Sequence, residues 1–310
     1  MLYREYGKTG VKVSVIGLGG HEFGNGGMIR AFGENQKLAV TPGHIFAGFG
    51  GKNREEIVKR ALDLGINIFD LTIDSEKEAM GRILKKLKPA NDIILQTRPE
   101  GMVYTYDPAN RKMADYTLLR EEAIRILTLL ERETIDIFNF AFMKEALEAD
   151  ADYLDKIAYN IKKLKKEGLI RFASADTFSG DETYLKQIRS GHFDSVFINY
   201  NINEQHVESK ILQVVKEKGM GLVSRVAFRK GRIFKIAEEA GIDDRNYAAR
   251  ILLKWIINNE LVTTIIVGVS DKSMLQNNVD ILQNPALSDE EQHSLDKIFN
   301  TPMYMTEFQN

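Results

Sequence analysis

The chain has no cysteine among its 310 residues. Disulfides, thiolate zinc sites and a cysteine nucleophile are therefore excluded, and a cytoplasmic location is permitted. Surplus charge is small, with 42 Lys and Arg against 44 Asp and Glu. The signs are interspersed. There is no basic stripe to bind nucleic acid and no polybasic amphipathic segment to bind a membrane surface. No apolar run approaches the roughly 20 residues that span a bilayer. The start, Met1-Leu-Tyr-Arg-Glu-Tyr6, lacks the apolar stretch of a signal peptide, so none is expected. Only five histidines occur, and none stands three or four residues from another, so no helical metal pair is expected. No linker, low-complexity tract or repeat is visible.

What is present is a regular alternation. A 44% hydrophobic chain of this length can bury a large core. Tyr3 to Ser14 reads as a β-hairpin with a glycine-bounded turn. Short apolar runs follow as strands at Val13–Gly17, Ile66–Asp70, Ile93–Thr97, Ile135–Ala141, Ile170–Ala175, Ser195–Tyr200, Gly221–Val226 and Thr264–Val267. Helical stretches separate them at Arg54–Leu64, Lys77–Leu87, Thr117–Glu131, Tyr153–Lys166, Asp181–Arg189, Glu204–Lys218, Arg245–Asn259 and Ser273–Leu282. A last helix, Ser288–Ile298, opens with a capping box. Eight strands alternating with helices predict an α/β fold, a (β/α)8 TIM barrel, as one domain over residues 1–310. The alternative is a doubly wound sheet. It would show a glycine fingerprint opening the first helix, and Gly17-Leu-Gly-Gly20 is not followed promptly by one.

One segment breaks the rhythm. Residues 17 to 51 form a long loop after strand 1 with eleven glycines, Gly26 among them, and with His21, Glu22, Phe23, Phe32, His44, Phe46 and Phe49. In a barrel it lies over the C-terminal mouth, where active sites form. It reads equally as a lid over an apolar ligand or as a plain cover for the barrel end.

The segment Ala61-Leu-Asp-Leu-Gly-Ile-Asn-Ile-Phe-Asp70-Leu-Thr-Ile-Asp-Ser75 resembles the second β/α unit of the aldo-keto reductases, A-L-D-x-G-I-N-x-F-D-T-A-x-x-Y. The resemblance covers nearly the whole chain and implies carbonyl/alcohol interconversion with NADP or NAD. It implies a tetrad of Asp, Tyr, Lys and His. Asp70 keeps the first. Ser75 stands for the tyrosine, Arg98 for the lysine and Ala141 for the histidine. Arginine can polarise a carbonyl but does not titrate near neutrality. Serine is a far poorer acid than tyrosine. The expected proton donor is therefore non-standard, from Tyr104 or Tyr106 beyond strand three, from His21, Glu22 or His44 in the glycine loop, or from Asp74 or Glu76. Asp70 reads equally as an ion-pair partner that merely holds Arg98.

The resemblance also implies cofactor contacts. Asp176 and Thr177 stand where the family holds the carboxamide, and Phe197 replaces a glutamine. Tyr200 and Asn201 are kept, as is Arg225. Gly268 and Ser270 resemble the I-P-G-x-S turn, with Lys272 close by and Asn278 on the following helix. Backbone N–H groups at such a turn would bind phosphate. Met274 stands where a basic residue would grip a 2′-phosphate, so nothing favours NADP over NAD. The leading expectation is an NAD(P)H-dependent oxidoreductase acting on a small, anionic substrate. The alternatives are a redox-inactive lyase or isomerase acting on an anionic metabolite, or a non-catalytic binding protein. The sequence does not fix the oligomeric state.

Overall fold

The computed structural model describes residues 1–24, 27–90 and 92–308. Gly26 of the expected glycine loop lies outside the described residues. Two short strands, β1 (Tyr3–Glu5) and β2 (Lys12–Ser14), pair antiparallel. Eight further strands close a parallel barrel: β3 (Ile16–Gly19), β4 (Ile68–Leu71), β5 (Ile94–Thr97), β6 (Ile135–Ala141), β7 (Ile170–Asp176), β8 (Ser195–Asn199), β9 (Gly221–Arg225) and β10 (Thr264–Val267), with β10 hydrogen-bonded to β3. The (β/α)8 expectation holds.

The first strand differs from its expected bounds. The apolar run from Val13 is shared by two elements: Val13 pairs with Arg4 in the hairpin, and the barrel strand starts at Ile16. The hairpin plugs the barrel floor. Tyr6 is fully buried among Ile68, Ile94, Ile137, Val223 and Ile266, and its hydroxyl donates to Ser195 Oγ at 2.6 Å. The plug seats only because two residues lack side chains. A Cβ on Gly7, at φ +56°, would meet the backbone N of Gly221 at 2.5 Å, and one on Gly221 would meet the Tyr6 ring at 3.2 Å. Each aliphatic side chain of this floor stabilises the fold by about 1.5–3 kcal/mol.

Side chains alternate along each strand, so two steps above the floor the inward positions become polar. Asp70, Gln96, Asn139, Asp176 and Arg225 line the upper barrel, all buried. The floor is apolar, and the buried polar side chains gather above it toward the rim.

The loop after β3 holds a helix, Arg30–Ala39, interrupted at Asn35. Its Ala31 and Ala39 pack with Phe46, Phe49, Ile73 and Ala79. The loop is also pinned to the start of the helix Asp74–Leu87: the Gly43 N–H donates to Asp74 Oδ2 at 2.6 Å and the Phe46 N–H to Ser75 Oγ at 2.9 Å. That helix begins three residues earlier than its periodicity suggests. Asp74 and Glu76 occupy its first turn, where the helix dipole favours acidic side chains. The stretch expected as one helix from Glu204 contains a π turn, Glu208–Leu212, before the helix Gln213–Lys218. Among the described residues five α-helices were not anticipated: Arg30–Ala39, Arg111–Ala114, Lys144–Ala149, Arg232–Glu239 and Pro302–Phe308. The Ser288 capping box is present. Among the described residues no helix is long and apolar enough to cross a membrane.

Candidate active site

Three polar groupings meet at the C-terminal rim. The first is built on β4 and β5. Asp70 Oδ1 accepts from Gln96 Nε2 at 2.9 Å. The expected Asp70–Arg98 ion pair is not among the pairs of the described residues. Arg98 Nε turns to Glu100 at 3.1 Å, and its Nη2 donates to Thr72 Oγ1 at 3.0 Å. Glu100 captures it because it lies two residues along the chain and is itself buried. Burial pushes the Asp70 carboxyl up, and Arg98 and Gln96 only partly counter this.

The second grouping joins the first loop to the helix Asp74–Leu87. His21 Nδ1 lies 2.7 Å from Glu76 Oε1, and the Thr72 N–H donates to Glu76 Oε2 at 2.8 Å. The close approach depends on Gly20, where a Cβ would meet Glu76 Oε2 at 2.7 Å. Burial alone would lower the His21 pKa. The Glu76 carboxylate outweighs it and holds the imidazole above its ordinary value, and the nearby Arg98 and Asp70 act in opposite directions.

The third grouping spans β7, β9 and the turn after β5. Tyr104 sits at φ +50°, in a region that non-glycine residues seldom occupy. From there its hydroxyl donates to Asp176 Oδ2 at 2.5 Å. Arg225 Nη1 is 2.8 Å from Asp176 Oδ1 and donates to the Tyr104 hydroxyl at 3.1 Å. The guanidinium is enclosed between the Phe178 and Phe197 rings, 4.1 and 4.8 Å from their centroids. The Arg98 guanidinium lies 5.5 Å from the Tyr104 ring centroid. Burial, then the Asp176 charge, pushes the Tyr104 hydroxyl well above the usual tyrosine range. Its proton is tied to a carboxylate. Tyr106 is edge-on to Tyr104 at 6.5 Å.

This is the rim of a closed parallel barrel with an aspartate at the tip of the second barrel strand and a cation at the tip of the third. The model of the Aldo/keto reductase family matches residues 47–245, more than half of the chain. The chain belongs to the aldo/keto reductase family. Among curated relatives, L-galactose dehydrogenase of Arabidopsis thaliana is 25% identical over 312 residues, covering 89% of this chain and 86% of that protein. L-glyceraldehyde 3-phosphate reductase of Escherichia coli O157:H7 is 21% identical, covering 96% of this chain and 92% of that protein. Among solved structures, the holo form of aldo-keto reductase AKR11C1 from Bacillus halodurans aligns with a TM-score of 0.69 at 19% identity, covering 96% of each chain. That likeness is one of fold.

Several family positions are drawn into other work here. Ser75 lies in the first helical turn, where its hydroxyl accepts from Phe46 N–H and lies 3.5 Å from the His44 carbonyl. It latches the loop and makes no side-chain hydrogen bond to Asp70 or Arg98 among the described residues. His44 packs edge-on against Phe46 at 4.6 Å, on the same latch. Tyr200 turns into the helix layer, stacks on Trp255 at 5.2 Å and bonds Glu208 and Asn259. Arg225 is kept, but Asp176 holds it. At the turn after β10, the eighth strand of the barrel, the Phe23 ring sits on Gly268, 2.7 Å from where a Cβ would be. The Ser273 and Met274 N–H groups of the following helix are capped by Asp271 Oδ1 at 2.8 and 2.9 Å. Lys272 pairs with Glu56 at 3.1 Å. Asn278 is buried on that helix. Between this turn and the first loop lies a cavity of about 240 Å³, lined by His21, Phe23, Lys52, Arg54 and Ser270 among others.

Sequence reasoning did not single out Gln96 or Asn139. Both follow from the period of a strand, two residues before Arg98 and before Ala141. Gln96 Oε1, both Asn139 amide atoms and Ser174 Oγ are buried without a hydrogen-bond partner among the described residues. Arg54 was missed too. It is 5% exposed, bonds the Gly19 carbonyl through Nη2 at 2.9 Å, and leaves Nη1 unpartnered.

Proposed function

We propose that the protein is a nicotinamide-dependent oxidoreductase that interconverts carbonyl and alcohol groups, with His21 as the proton donor. The observation that carries this is the His21–Glu76 pair at 2.7 Å, set against Asp70 and Arg98 at the rim. The cofactor, when bound, supplies the hydride.

The residues at the strand-eight turn fit NAD better than NADP. Asp271 places a carboxylate at the helix start, where it would repel a phosphate and can accept from ribose hydroxyls. Lys272 is already paired. Ser270, Asp271 and Asn278 would hold the adenosine end. Gln96, Asn139 and Ser174 carry buried polar atoms without partners among the described residues in the upper barrel, below the other end.

In the reductive direction negative charge grows on the substrate oxygen. Arg98, held by Glu100 and Thr72, supplies a fixed positive charge at the rim. The His21 imidazolium donates the proton, and Glu76 fixes the tautomer and steadies the charged form. Tyr104 serves as a neutral wall whose hydroxyl keeps its proton and donates a hydrogen bond to Asp176.

A redox-inactive protein is the second reading. It draws on one observation, the Phe23 ring seated over Gly268. A fluorescence titration separates the two. NADH binding at micromolar levels, tighter than NADPH, with turnover of an aldehyde panel, supports the oxidoreductase. Absence of binding at millimolar NADH supports the other.

A further inference from the structure

We infer that the helix start at Lys52 is a phosphate site, and that the substrate is a small phosphorylated aldehyde or ketone held there by Lys52, Arg54 and the first backbone N–H groups of the helix. The substrate assignment rests on the oxidoreductase reading above; the phosphate site does not.

The helix Lys52–Asp63 is twelve residues long. Its N-cap is Gly51, which has no side chain to satisfy the first-turn N–H groups. Gly51, Lys52, Asn53 and Arg54 all line the 240 Å³ cavity. The independent observation is Arg54. Its side chain is buried at 5% exposure, it lines that cavity, and Nη1 has no hydrogen-bond partner among the described residues. A buried guanidinium N–H left open is costly unless something fills the place. A guanidinium, an ammonium and a row of N–H groups at a helix start together suit a tetrahedral anion with several oxygens.

The two carboxylates that act on Arg54, Glu76 and Glu22, are already engaged, Glu76 by His21 and the Thr72 N–H. Glu22 lines the cavity, but Oε1 accepts the Gly50 N–H at 2.7 Å and Oε2 lies 3.4 Å from Arg30 Nη1. The cavity is smaller than the roughly 300–1,000 Å³ of drug-sized sites, so it suits a compact metabolite. His21 lines the same cavity. A ligand anchored at Lys52 and Arg54 therefore reaches the proton donor along its own length. Reduction adds a hydride from the reduced nicotinamide to the carbonyl carbon and the His21 proton to its oxygen. The phosphate ester is untouched.

The test has three arms. Calorimetry with inorganic phosphate on the wild type, Lys52→Gln and Arg54→Gln reads the site without turnover. Binding that weakens about tenfold or more in either variant is expected; no binding to the wild type overturns the site. Lys52 is exposed, so its variant keeps the test open if Arg54→Gln does not fold. The second arm compares kcat/KM for glyceraldehyde 3-phosphate and glyceraldehyde. A preference of about tenfold or more for the phosphorylated aldehyde, reduced in both variants through KM, is expected. Equal values with both aldehydes turned over overturn the substrate class and leave the oxidoreductase reading standing. Turnover of neither aldehyde, with phosphate still bound, defeats that reading and the substrate class and leaves the site. The third arm titrates NADH. Variants that weaken NADH and spare the aldehyde preference assign the phosphate to the cofactor and overturn the substrate assignment.

Discussion

Replacing Glu76 by glutamine isolates the charge that tunes the proposed proton donor. The substituted amide keeps one oxygen to accept the Thr72 N–H and turns its NH2 toward His21 Nδ1. The negative charge is lost, and with it the acceptor that holds the imidazolium N–H. In the wild type two effects oppose each other at His21: burial lowers its pKa and Glu76 raises it, and the second wins. Without the carboxylate, burial dominates and the pKa drops below the ordinary value of about 6.5. Reduction needs the protonated form. In the wild type kcat/KM is therefore flat below the raised pKa and falls about tenfold per pH unit above it. In Glu76→Gln the falling limb moves to lower pH, and the rate on that limb drops at every pH. His21→Gln removes the limb and costs on the order of 10²–10⁴-fold. The assay is steady-state aldehyde reduction from pH 5.5 to 9, with melting temperature and NADH affinity as controls for folding. The linkage sign gives a second readout. A raised histidine pKa stabilises the fold below the unfolded-state value, and this is lost as pH rises through the folded-state value. An unmoved limb in Glu76→Gln, or a His21→Gln rate within roughly threefold of wild type, refutes the assignment.

Ser75→Ala leaves the Phe46 N–H without its acceptor, so urea unfolding shows a loss of about 1–3 kcal/mol while the pH profile of turnover is unchanged. A collapse of kcat at intact stability would place Ser75 in the chemistry instead. Arg225→Met strands the fully buried Asp176 and costs about 3–5 kcal/mol, seen as a drop in Tm of about 5–8 °C. A Tm within 2 °C of wild type, a change of roughly 1 kcal/mol or less, contradicts the buried-pair account. Burial would raise the Asp74 carboxyl, but Lys77 and Arg125 hold it at about 2. It therefore contributes about 2 kcal/mol above the unfolded-state pKa, lost as pH falls from about 4 toward 2. Asp74→Asn flattens that acid limb in pH-dependent denaturation, and an unchanged limb refutes the pairing.

The barrel was legible because each strand is a short apolar run between helical stretches, and only strands covered on both faces read that way. β6 and β10 match their expected bounds. The first barrel strand did not, because hairpin and barrel share one apolar run from Val13. At the rim the spacing located Asp70, Arg98 and Asp176 on strand tips but not their partners. Arg98 prefers Glu100 to Asp70, a choice set by burial and chain proximity. The His21–Glu76 pair was out of reach of sequence spacing. It joins residues 55 apart and exists only because the helix starts at Asp74, which turns Glu76 inward. The strand-eight turn resembled a phosphate site, yet the side chain of Asp271, one residue beyond Ser270, supplies the acceptor itself.

Transfer of a labelled hydride tests the central claim most directly. The wild type is incubated with reduced NAD carrying deuterium at the transferring C4 position and a panel of aldehydes with and without a phosphate ester. Mass spectrometry then reads the product alcohols. One deuterium on the former carbonyl carbon, with NADH the better donor than NADPH, is the predicted result. No labelled alcohol from any aldehyde, with either nucleotide, would contradict the assignment of carbonyl reduction to this rim.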